Sequence, residues 1–542
     1  MEEQGTTRTP LLKRPATRRA LLAGAATAAA GGTAAAIVGL AAQTSADSDD
    51  KNGVVVPGLA ADATAAAAKA AADELKKPIE DPKVRAAHLL RRAGWGGTAA
   101  QIDEFARLSR EEAADRLLNF EGVDNSALDA RIAAANFNLT TPGRGLDRKR
   151  PPLIRDMQRW WLYRMSYSAR PLEERMTYIW HGLLTSQVSQ IGVQAAKQMV
   201  RQNELFRANA LGQYDVLLQA VSKDPAMMLY LNTIESTKEH PNENYARELM
   251  ELYSMGEGNY TEDDVRESAR AFTGWRLTRP SRERPPEGLS EEERGEFLDQ
   301  VWGAWEPEFR IEARLHDSDA KTFLGRSGNF NGEDIVAIIM EQPATGGFIT
   351  RRLFSELAYR DPDEDTVEAL VKVWDASNHS VREVVRAILV SDEFYSKRAY
   401  RSLVRSPIEF MVGAVRALEI ETDWISVEQS AAGMDQRLYE PPSVAGWPGG
   451  ETWLSSGTFF GRVNFLDATL FPRNRAIAIP ALMNQPTAEA TVDEALRRLV
   501  DGAIADEARE SIASYARTIS NPQERAAAVA YLVLASPEYQ LV

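Results

Sequence analysis

The sequence predicts a mainly α protein: a multi-helical globular domain with one short β-hairpin at about 308–325 and a helical C-terminal unit. Composition is the first reason. Of the 542 residues, 44% are hydrophobic and 8% aromatic, so a large core can be buried. Ala, Leu, Arg and Glu dominate the chain, and these residues favour helix. The second reason is that helix-start signals, each followed by an apolar period of about 3.6 residues, recur along most of the chain.

A targeting signal opens the sequence. Arg18 and Arg19 directly precede an apolar run over residues 20–42, and residues 44–46 are small, as a signal peptidase requires. The run is built from Ala, Gly and Thr, and such weak hydrophobicity is typical of twin-arginine signals and poor for a membrane anchor. We therefore expect residues 1–46 to be a cleaved twin-arginine type signal peptide that leads to the cell envelope or to secretion. The alternative is an uncleaved N-terminal anchor.

Composition and helix-capping residues divide the rest of the chain into regions. No other stretch of about 18 apolar residues occurs, so we expect no membrane span after signal cleavage. Capping boxes are predicted where Thr98 precedes Gln101 and where Ser406 precedes Glu409, since each hydroxyl residue is followed three positions later by Gln or Glu. The predicted regions are an Ala/Asp/Lys-rich linker at 47–83, a main helical domain at 84–470 and a C-terminal helical unit at 471–542.

One region interrupts the helical pattern. Residues 279–300 form a charged insert rich in Pro, Glu and Arg, which predicts a mobile surface loop. After it, apolar residues alternate with polar ones from Phe309 to Leu315, the period of a strand. Residues 321–325 supply a partner strand across a turn at 316–319. The sequence therefore predicts a single hairpin here.

Charge and cysteine content exclude several classes of function. The formal net charge is −15, which argues against a nucleic-acid partner because no basic stripe is available to neutralise phosphates. The chain contains no cysteine. Disulfides, thiol catalysis and thiolate-ligated metal clusters are therefore excluded.

The densest polar cluster lies at residues 241–252, PNENYARELMEL. On a helix, Glu248 and Glu251 line up beside the apolar stripe, and Arg247 lies within reach of its neighbours. One interpretation is a catalytic carboxylate pair with Arg247 orienting one member for acid–base chemistry or metal binding. The other is a solvated helix face with surface ion pairs, or paired groups in a polar core.

Two of the five histidines are candidates for chemistry. His181 projects opposite the apolar face of a predicted helix and is a candidate catalytic group or metal ligand, although a lone helical histidine is usually structural. His316 and Asp317 are adjacent at the predicted turn, an arrangement better suited than a lone helical histidine to bind a divalent metal or to act as an acid–base pair. Turns also favour Asp for conformational reasons, so a structural role stays open.

A loop-rich stretch at 436–453 carries three large aromatic residues, Tyr439, Trp447 and Trp453. Aromatic side chains on a rigid loop can stack on a sugar ring or line a substrate pocket. Alternatively, they hold the loop against the core.

Many spaced blocks together resemble one bacterial family, called domain of unknown function 1800. The match runs in order from about residue 84 to 465 and beyond. The resemblance implies no assigned activity or catalytic residues, but it includes the positions of the candidates above, and members are often encoded beside a second exported twin-arginine protein, which implies a partner. The blocks are HLLRRAG at 88–94, WH at 180–181, QN at 202–203, DPAMMLYL at 224–231, PNENYARELMEL at 241–252, YTEDDV at 260–265, AFTGW at 271–275, HD at 316–317, KTFLG at 321–325, SPIEF at 406–410 and PPSVAGW at 441–447.

Two functions are consistent with these observations. The first is an extracytoplasmic enzyme that acts on a cell-surface or extracellular polymer, with or without a divalent metal. The second is a non-catalytic binding or assembly partner of another exported protein.

Overall fold

The computed structural model describes most of the chain. The predicted signal peptide lies outside the described residues, as does most of the predicted linker. The part that the structure describes comprises residues 69–140, 153–192, 195–279, 284–422, 424, 430–431 and 433–542.

The described chain is mainly helical, as predicted. In chain order the helices are α1 Pro82–Arg92, α2 Ala99–Phe105, α3 Arg110–Leu118, α4 Ser126–Ala135, α5 Leu153–Tyr167, α6 Pro171–Leu183, α7 Val188–Ile191, α8 Lys197–Ala208, α9 Tyr214–Ser222, α10 Pro225–Tyr230, α11 Asn244–Glu251, α12 Glu262–Ala271, α13 Glu291–Gly303, α14 Gly332–Met340, α15 Pro343–Leu357, α16 Glu364–Ala376, α17 Val381–Val390, α18 Pro407–Leu418, α19 Ser456–Leu470, α20 Pro480–Met483, α21 Ala488–Val500, α22 Asp506–Arg517 and α23 Pro522–Leu534. In the described residues, no helix is both long enough and apolar enough to cross a membrane.

Helix starts follow the side-chain chemistry of the sequence. Thr98 and Gln101 form a reciprocal capping box at the start of α2, and Ser406 and Glu409 form another at the start of α18. In each box the hydroxyl accepts a hydrogen bond from the third helical N–H, and the Gln or Glu side chain accepts one from the cap residue. The two capping boxes predicted from spacing are therefore confirmed.

The buried apolar side chains form two clusters. The first joins helices from α1 to α17, with Trp180, Tyr214 and Phe354 among its buried members. The second joins α5 and α18 to the C-terminal helices α19 to α23, around Trp161 and Phe410. The C-terminal helices α20 to α23 therefore share their core with α5, α18 and α19, which precede them in the chain.

Two of the four strands in the described residues, β2 at Phe309–Ile311 and β3 at Lys321–Phe323, lie where the sequence predicts strands, but they do not pair with each other. β2, Phe309–Ile311, pairs antiparallel with β1, Trp275–Leu277, and not with the later segment. β3, Lys321–Phe323, pairs with β4, Arg326–Gly328. The cause is local: Leu324 and Gly325 both have positive φ angles, of 46° and 77°, and they close a two-residue hairpin turn directly after β3.

The predicted insert loop at 279–300 also differs from the structure. Helix α13 occupies Glu291–Gly303, so the second half of the insert is helical. Ser290 and Glu293 form the hydrogen bonds of a capping box at its start, because the Ser290 N–H donates to the Glu293 carboxylate and the Glu293 N–H donates to the Ser290 hydroxyl. The high charge of the insert obscured this signal. Part of the insert, residues 280–283, lies outside the described residues.

Candidate functional site

A cleft of about 410 Å³ lies between two helices and the aromatic loop at 436–453. On α6 and α15 the lining residues are three or four positions apart, the spacing that places side chains on one helix face. The loop contributes Trp447, Trp453 and the Pro448–Gly450 turn. We call this the Trp447 cleft. Its principal lining residues are Arg175, Tyr178, Ile179 and Gly182 from α6, Phe348, Arg351, Arg352, Ser355 and Glu356 from α15, and Arg360 after α15.

The predicted aromatic residues have three different positions. Trp447 is half-buried and lines the cleft, while Trp453 also lines it but is only 6% exposed. Tyr439 is fully buried in the second core cluster. The loop is therefore both held to the core and open to the cleft, so parts of both interpretations of its aromatic residues apply to different members.

Three of the four cleft arginines are neutralised by nearby carboxylates. Arg175 is buried and donates to Glu409 at 2.6 Å, Arg351 donates to both Glu364 oxygens at 2.8 Å, and Arg352 pairs with Glu356 at 3.1 Å. Arg360 is the exception. Among the described residues it has no carboxylate within 4.0 Å, and its one hydrogen bond goes to the Pro448 carbonyl at 3.4 Å.

The floor of the cleft is polar and rigid. Burial alone would raise the pKa of the Glu409 carboxyl, but Arg175 and the Ser406 N–H more than offset this effect, so the pKa lies below its usual value. Gln436 is fully buried, accepts from the Ile408 N–H at 3.0 Å and donates to the Tyr178 hydroxyl at 2.6 Å. This hydrogen-bonded floor fixes α6, α18 and the loop relative to one another.

His181 is buried in an aromatic cage. Its ring lies 5.2–5.6 Å from the rings of Trp161, Tyr439 and Trp447. Nε2 accepts a hydrogen bond from the Tyr439 N–H at 3.2 Å, and burial lowers the pKa of the imidazole to about 3. His181 is therefore neutral at physiological pH, and the Nε2 lone pair already has a partner. In this position it supports the aromatic loop.

The predicted carboxylate pair lies on α11. Glu248 and Glu251 are both half-buried, and Glu251 accepts a hydrogen bond from the Tyr260 hydroxyl at 2.9 Å. Burial and the neighbouring Glu251 charge raise the pKa of Glu248 above its ordinary value. Within the part of the chain that the structure describes, the Glu248 carboxylate has no hydrogen bond or ion pair, although its backbone carbonyl accepts from the N–H groups of Leu252 and Tyr253.

Arg247 does not orient these carboxylates. Its guanidinium donates to both oxygens of Glu262, at 2.7 and 2.9 Å, and to Glu243 at 3.3 Å. Glu262 lies in the first turn of α12, so the partner comes from the next helix and could not be read from spacing on α11 alone. The predicted orienting role of Arg247 is thus replaced by a helix-to-helix ion pair.

His316 and Asp317 are engaged by protein groups. His316 Nδ1 donates to the Thr273 carbonyl at 2.8 Å, and Asp317 accepts from Arg270 at 2.7 Å. The ammonium of Lys321, which is 1% exposed, donates to the carbonyls of Asp317 and Asp319 at 2.6 and 3.0 Å. A lysine therefore binds the turn carbonyls that a cation would otherwise need.

The three predicted metal ligands do not share a centre. His181 contacts the aromatic loop, whereas His316 and Asp317 contact the end of α12. Among the residues that the structure describes, no group of three or more His, Asp or Glu side chains is arranged to hold a metal ion. The structure therefore offers no described ligand set for the divalent metal that the sequence suggested.

The cleft arginines were not predicted from the sequence. The available signal was local: Arg351, Arg352, Ser355 and Glu356 form a polar face on a helix whose other face, including Leu353, is buried. The adjacent glycines of the Pro448–Gly450 turn were a second signal. Neither pattern shows that the two segments meet, because about a hundred residues separate them.

Comparison with known proteins identifies the family but no characterised relative. The profile of the family described as "Protein of unknown function (DUF1800)" matches residues 88–541, which is most of the chain. No curated protein and no solved structure matches. The family resemblance of the spaced blocks is thus confirmed, and the chain belongs to the DUF1800 family.

Proposed function

We propose that this protein acts outside the cytoplasm on a cell-surface or extracellular polymer, a segment of which it binds in the Trp447 cleft. The observation that carries the proposal is the meeting of Trp447 and Trp453 with four arginines around one cavity of about 410 Å³. Aromatic faces stack on apolar ring surfaces, and guanidinium groups donate to ring substituents. A polymer segment with rings and polar substituents fits this lining.

Hydrogen bonds already hold the aromatic loop in place, so a polymer can bind in the cleft without a large rearrangement of the loop. The Tyr439 N–H donates to His181, and the Thr185 hydroxyl donates to the Val444 carbonyl at 2.5 Å. These bonds tie the segment before Trp447 to the end of α6. A cleft that is already formed avoids the entropic cost of ordering a loop on binding.

The direct test is affinity electrophoresis of the mature protein through gels that contain neutral or acidic polysaccharides. Trp447→Ala should weaken retardation by about fivefold or more, because ring stacking contributes about 1 kcal/mol beyond area burial. Phe460→Ala is the matched control, since Phe460 is 66% exposed and does not line the cleft. If no polysaccharide retards the wild-type protein, or if Trp447→Ala binds as wild type does, the proposal is wrong.

A catalytic step would use Glu248, with Glu251 beside it; neither residue lines the Trp447 cleft, so the bound polymer would have to extend from the cleft to α11. A half-buried carboxyl with a raised pKa and no ion pair is suited to give or take a proton. Glu248→Gln should keep the fold and abolish release of new chain ends from the bound polymer. Glu243→Gln is the control on the same segment, because Glu243 is paired with Arg247. Equal cleavage by wild type and Glu248→Gln would remove Glu248 from the reaction.

The second candidate function is assembly with another exported protein. Leu454 and Phe460, which follow Trp453 closely in the chain, are 40% and 66% exposed, an unusual exposure for large apolar side chains. Crosslinking in the exported fraction should then give one partner whose capture is lost in Leu454→Ser/Phe460→Ser but kept in Trp447→Ala. The reverse pattern of losses would favour polymer binding.

A further inference from the structure

We propose that the Trp447 cleft selects polymers that bear anionic groups, carboxylate or sulfate, and that Arg360 is the residue that binds the anion. This inference rests on the proposed polymer-binding function and names its substrate class. It is supported by the position of Arg360, by the glycine turn beneath it and by the charges behind the cleft wall.

Arg360 is placed to bind an anion. Its guanidinium lines the cleft, is exposed and has no carboxylate within 4.0 Å among the described residues, whereas Arg175, Arg351 and Arg352 each have one. Asp361 follows it in the chain and also lines the cleft, yet it makes no ion pair with Arg360 in this structure. A planar guanidinium with unused N–H groups can donate two parallel hydrogen bonds to one carboxylate or sulfate.

The Pro448–Gly450 turn positions this guanidinium. A methyl group at Gly449 would lie 2.6 Å from Arg360 Nη2, and one at Gly450 would lie 2.9 Å from Cζ, both closer than a β-carbon approaches a neighbouring heavy atom, so the guanidinium would have to shift. Both glycines also have positive φ angles, 66° and 62°, which side chains disfavour. Glycine at these two positions lets the guanidinium lie directly against the backbone turn beside Trp447, and a side chain at either position would displace it.

Buried arginines behind the cleft wall add positive charge. Arg92, Arg405 and Arg462 are each buried and donate mainly to backbone carbonyls, those of Leu357, Leu541 and Trp453 among them. None of them has a carboxylate within 4.0 Å in the described residues. Burial, with repulsion from neighbouring arginines, lowers the pKa of Arg92 to about 9 and of Arg405 and Arg462 to about 10, but all three stay charged at neutral pH.

These charges lie close to the cleft, because all three arginines interact electrostatically with Glu409 in its lining. The Glu409 carboxylate lies in the lining and within electrostatic range of Arg92, Arg405 and Arg462, yet its direct partner is Arg175. The lining carboxylates Glu356, Asp361 and Glu409 are outnumbered by the guanidinium groups of the lining and of the wall behind it. The chain as a whole carries a net charge of −15, so the local excess of cations at this wall is opposite in sign to the rest of the molecule. A positive potential of this kind attracts an anionic group and does not weaken the stacking of uncharged rings on the aromatic side chains.

The experiment uses the mature protein and two matched polymer pairs in affinity electrophoresis. Polygalacturonate and its methyl ester differ only in whether the carboxylate is free, and dextran sulfate and dextran differ only in the sulfate. We expect at least tenfold stronger binding to one acidic member than to its neutral partner, declining with added salt. Arg360→Gln should abolish most of that preference. Arg326→Gln, which removes an exposed arginine outside the cleft lining, should keep it.

A second variant addresses positioning. Gly450→Ala leaves Arg360 in the chain but displaces its guanidinium, so the acid preference should fall while binding to the neutral member stays within about twofold. Melting curves show whether either variant has lost its fold. The carboxylate and sulfate arms identify which anion is preferred.

The outcomes separate this inference from the proposal beneath it. Trp447-dependent binding with no preference for the acidic member, or a preference that survives in Arg360→Gln, would overturn the anion inference alone. Absence of any Trp447-dependent binding would overturn the polymer-binding function itself.

Discussion

The buried neutral state of His181 makes a quantitative prediction about stability and pH. The imidazole has an ordinary pKa of 6.5, and its aromatic cage lowers this value to about 3 in the folded protein. As the pH falls below 6.5, the unfolded chain takes up a proton at this residue while the folded chain does not. Stability is therefore lost as the pH falls, and it is fully present only above 6.5.

The magnitude follows from the two pKa values. Because pH 5 lies about 1.5 pH units below the unfolded pKa of 6.5, protonation of His181 in the unfolded chain lowers the free energy of unfolding by about 2 kcal/mol between pH 8 and pH 5. His181→Gln removes this pH-dependent contribution but keeps an acceptor for the Tyr439 N–H. The substitution also weakens packing in the cage, but that loss is the same at every pH. The free energy of unfolding of the wild type, minus that of the variant, should thus fall by about 2 kcal/mol between pH 8 and pH 5.

Urea unfolding followed by tryptophan fluorescence measures this difference at each pH. His240→Gln, which replaces an exposed histidine, is the control for the loss of a histidine elsewhere in the chain. His88 is also buried, with a lowered pKa, but it is present in both proteins and its contribution cancels. A difference that stays constant from pH 8 to pH 5 would show that His181 takes up a proton equally readily in the folded and unfolded states, and would refute the buried neutral state of its ring.

Three further predictions concern export, the core and the metal question. Replacing both Arg18 and Arg19 with Lys should retain the full-length protein in the cytoplasm, because the twin-arginine translocase requires the arginine pair; normal export would refute the predicted signal. Glu174→Gln should cost about 3–5 kcal/mol in urea unfolding at pH 7, because it leaves the buried Arg207 and the half-buried Arg164 without their shared carboxylate, and a cost under about 1 kcal/mol would contradict this ion-pair network. The cost should shrink below pH 4.5, where the unfolded wild-type chain takes up a proton at this carboxyl before the folded chain does. Asp317→Asn should lower the melting temperature slightly, and a chelator should leave the wild-type Tm unchanged; a drop in Tm with chelator that is absent from the variant would instead demonstrate a metal at this turn.

Local chemistry made the helices predictable, whereas strand partners depended on tertiary contacts. Thr98 and Ser406 cap their helices through hydrogen bonds that span three residues, which a sequence shows directly. The pairing of Trp275 with Ile311 spans an insert of more than thirty residues. The same limit applies to Arg247, whose stronger partner lies on the next helix.

The candidate site was predictable in its aromatic half only. Trp447 stood out because a large aromatic residue among prolines and glycines is unusual, and that signal is local. The arginine half comes from α6 and α15, whose faces meet the loop only after the two core clusters have formed. Glu248 lies between these cases: the helical period correctly placed it at the edge of a buried stripe that contains Tyr245 and Leu249, but its lack of a partner is a tertiary property.

The aromatic loop joins the buried core to the cleft, so a change in the core can alter the cleft. Tyr439 is fixed by His181 inside the core, and eight residues later Trp447 contacts the same histidine ring while lining the cleft. The following glycines then place Arg360. A change at His181 should therefore be transmitted to ligand binding, whereas a change at Arg360 should leave the pH dependence of stability unaltered. This asymmetry follows from the order of the contacts, because the core determines where the loop lies and the loop determines where the guanidinium lies.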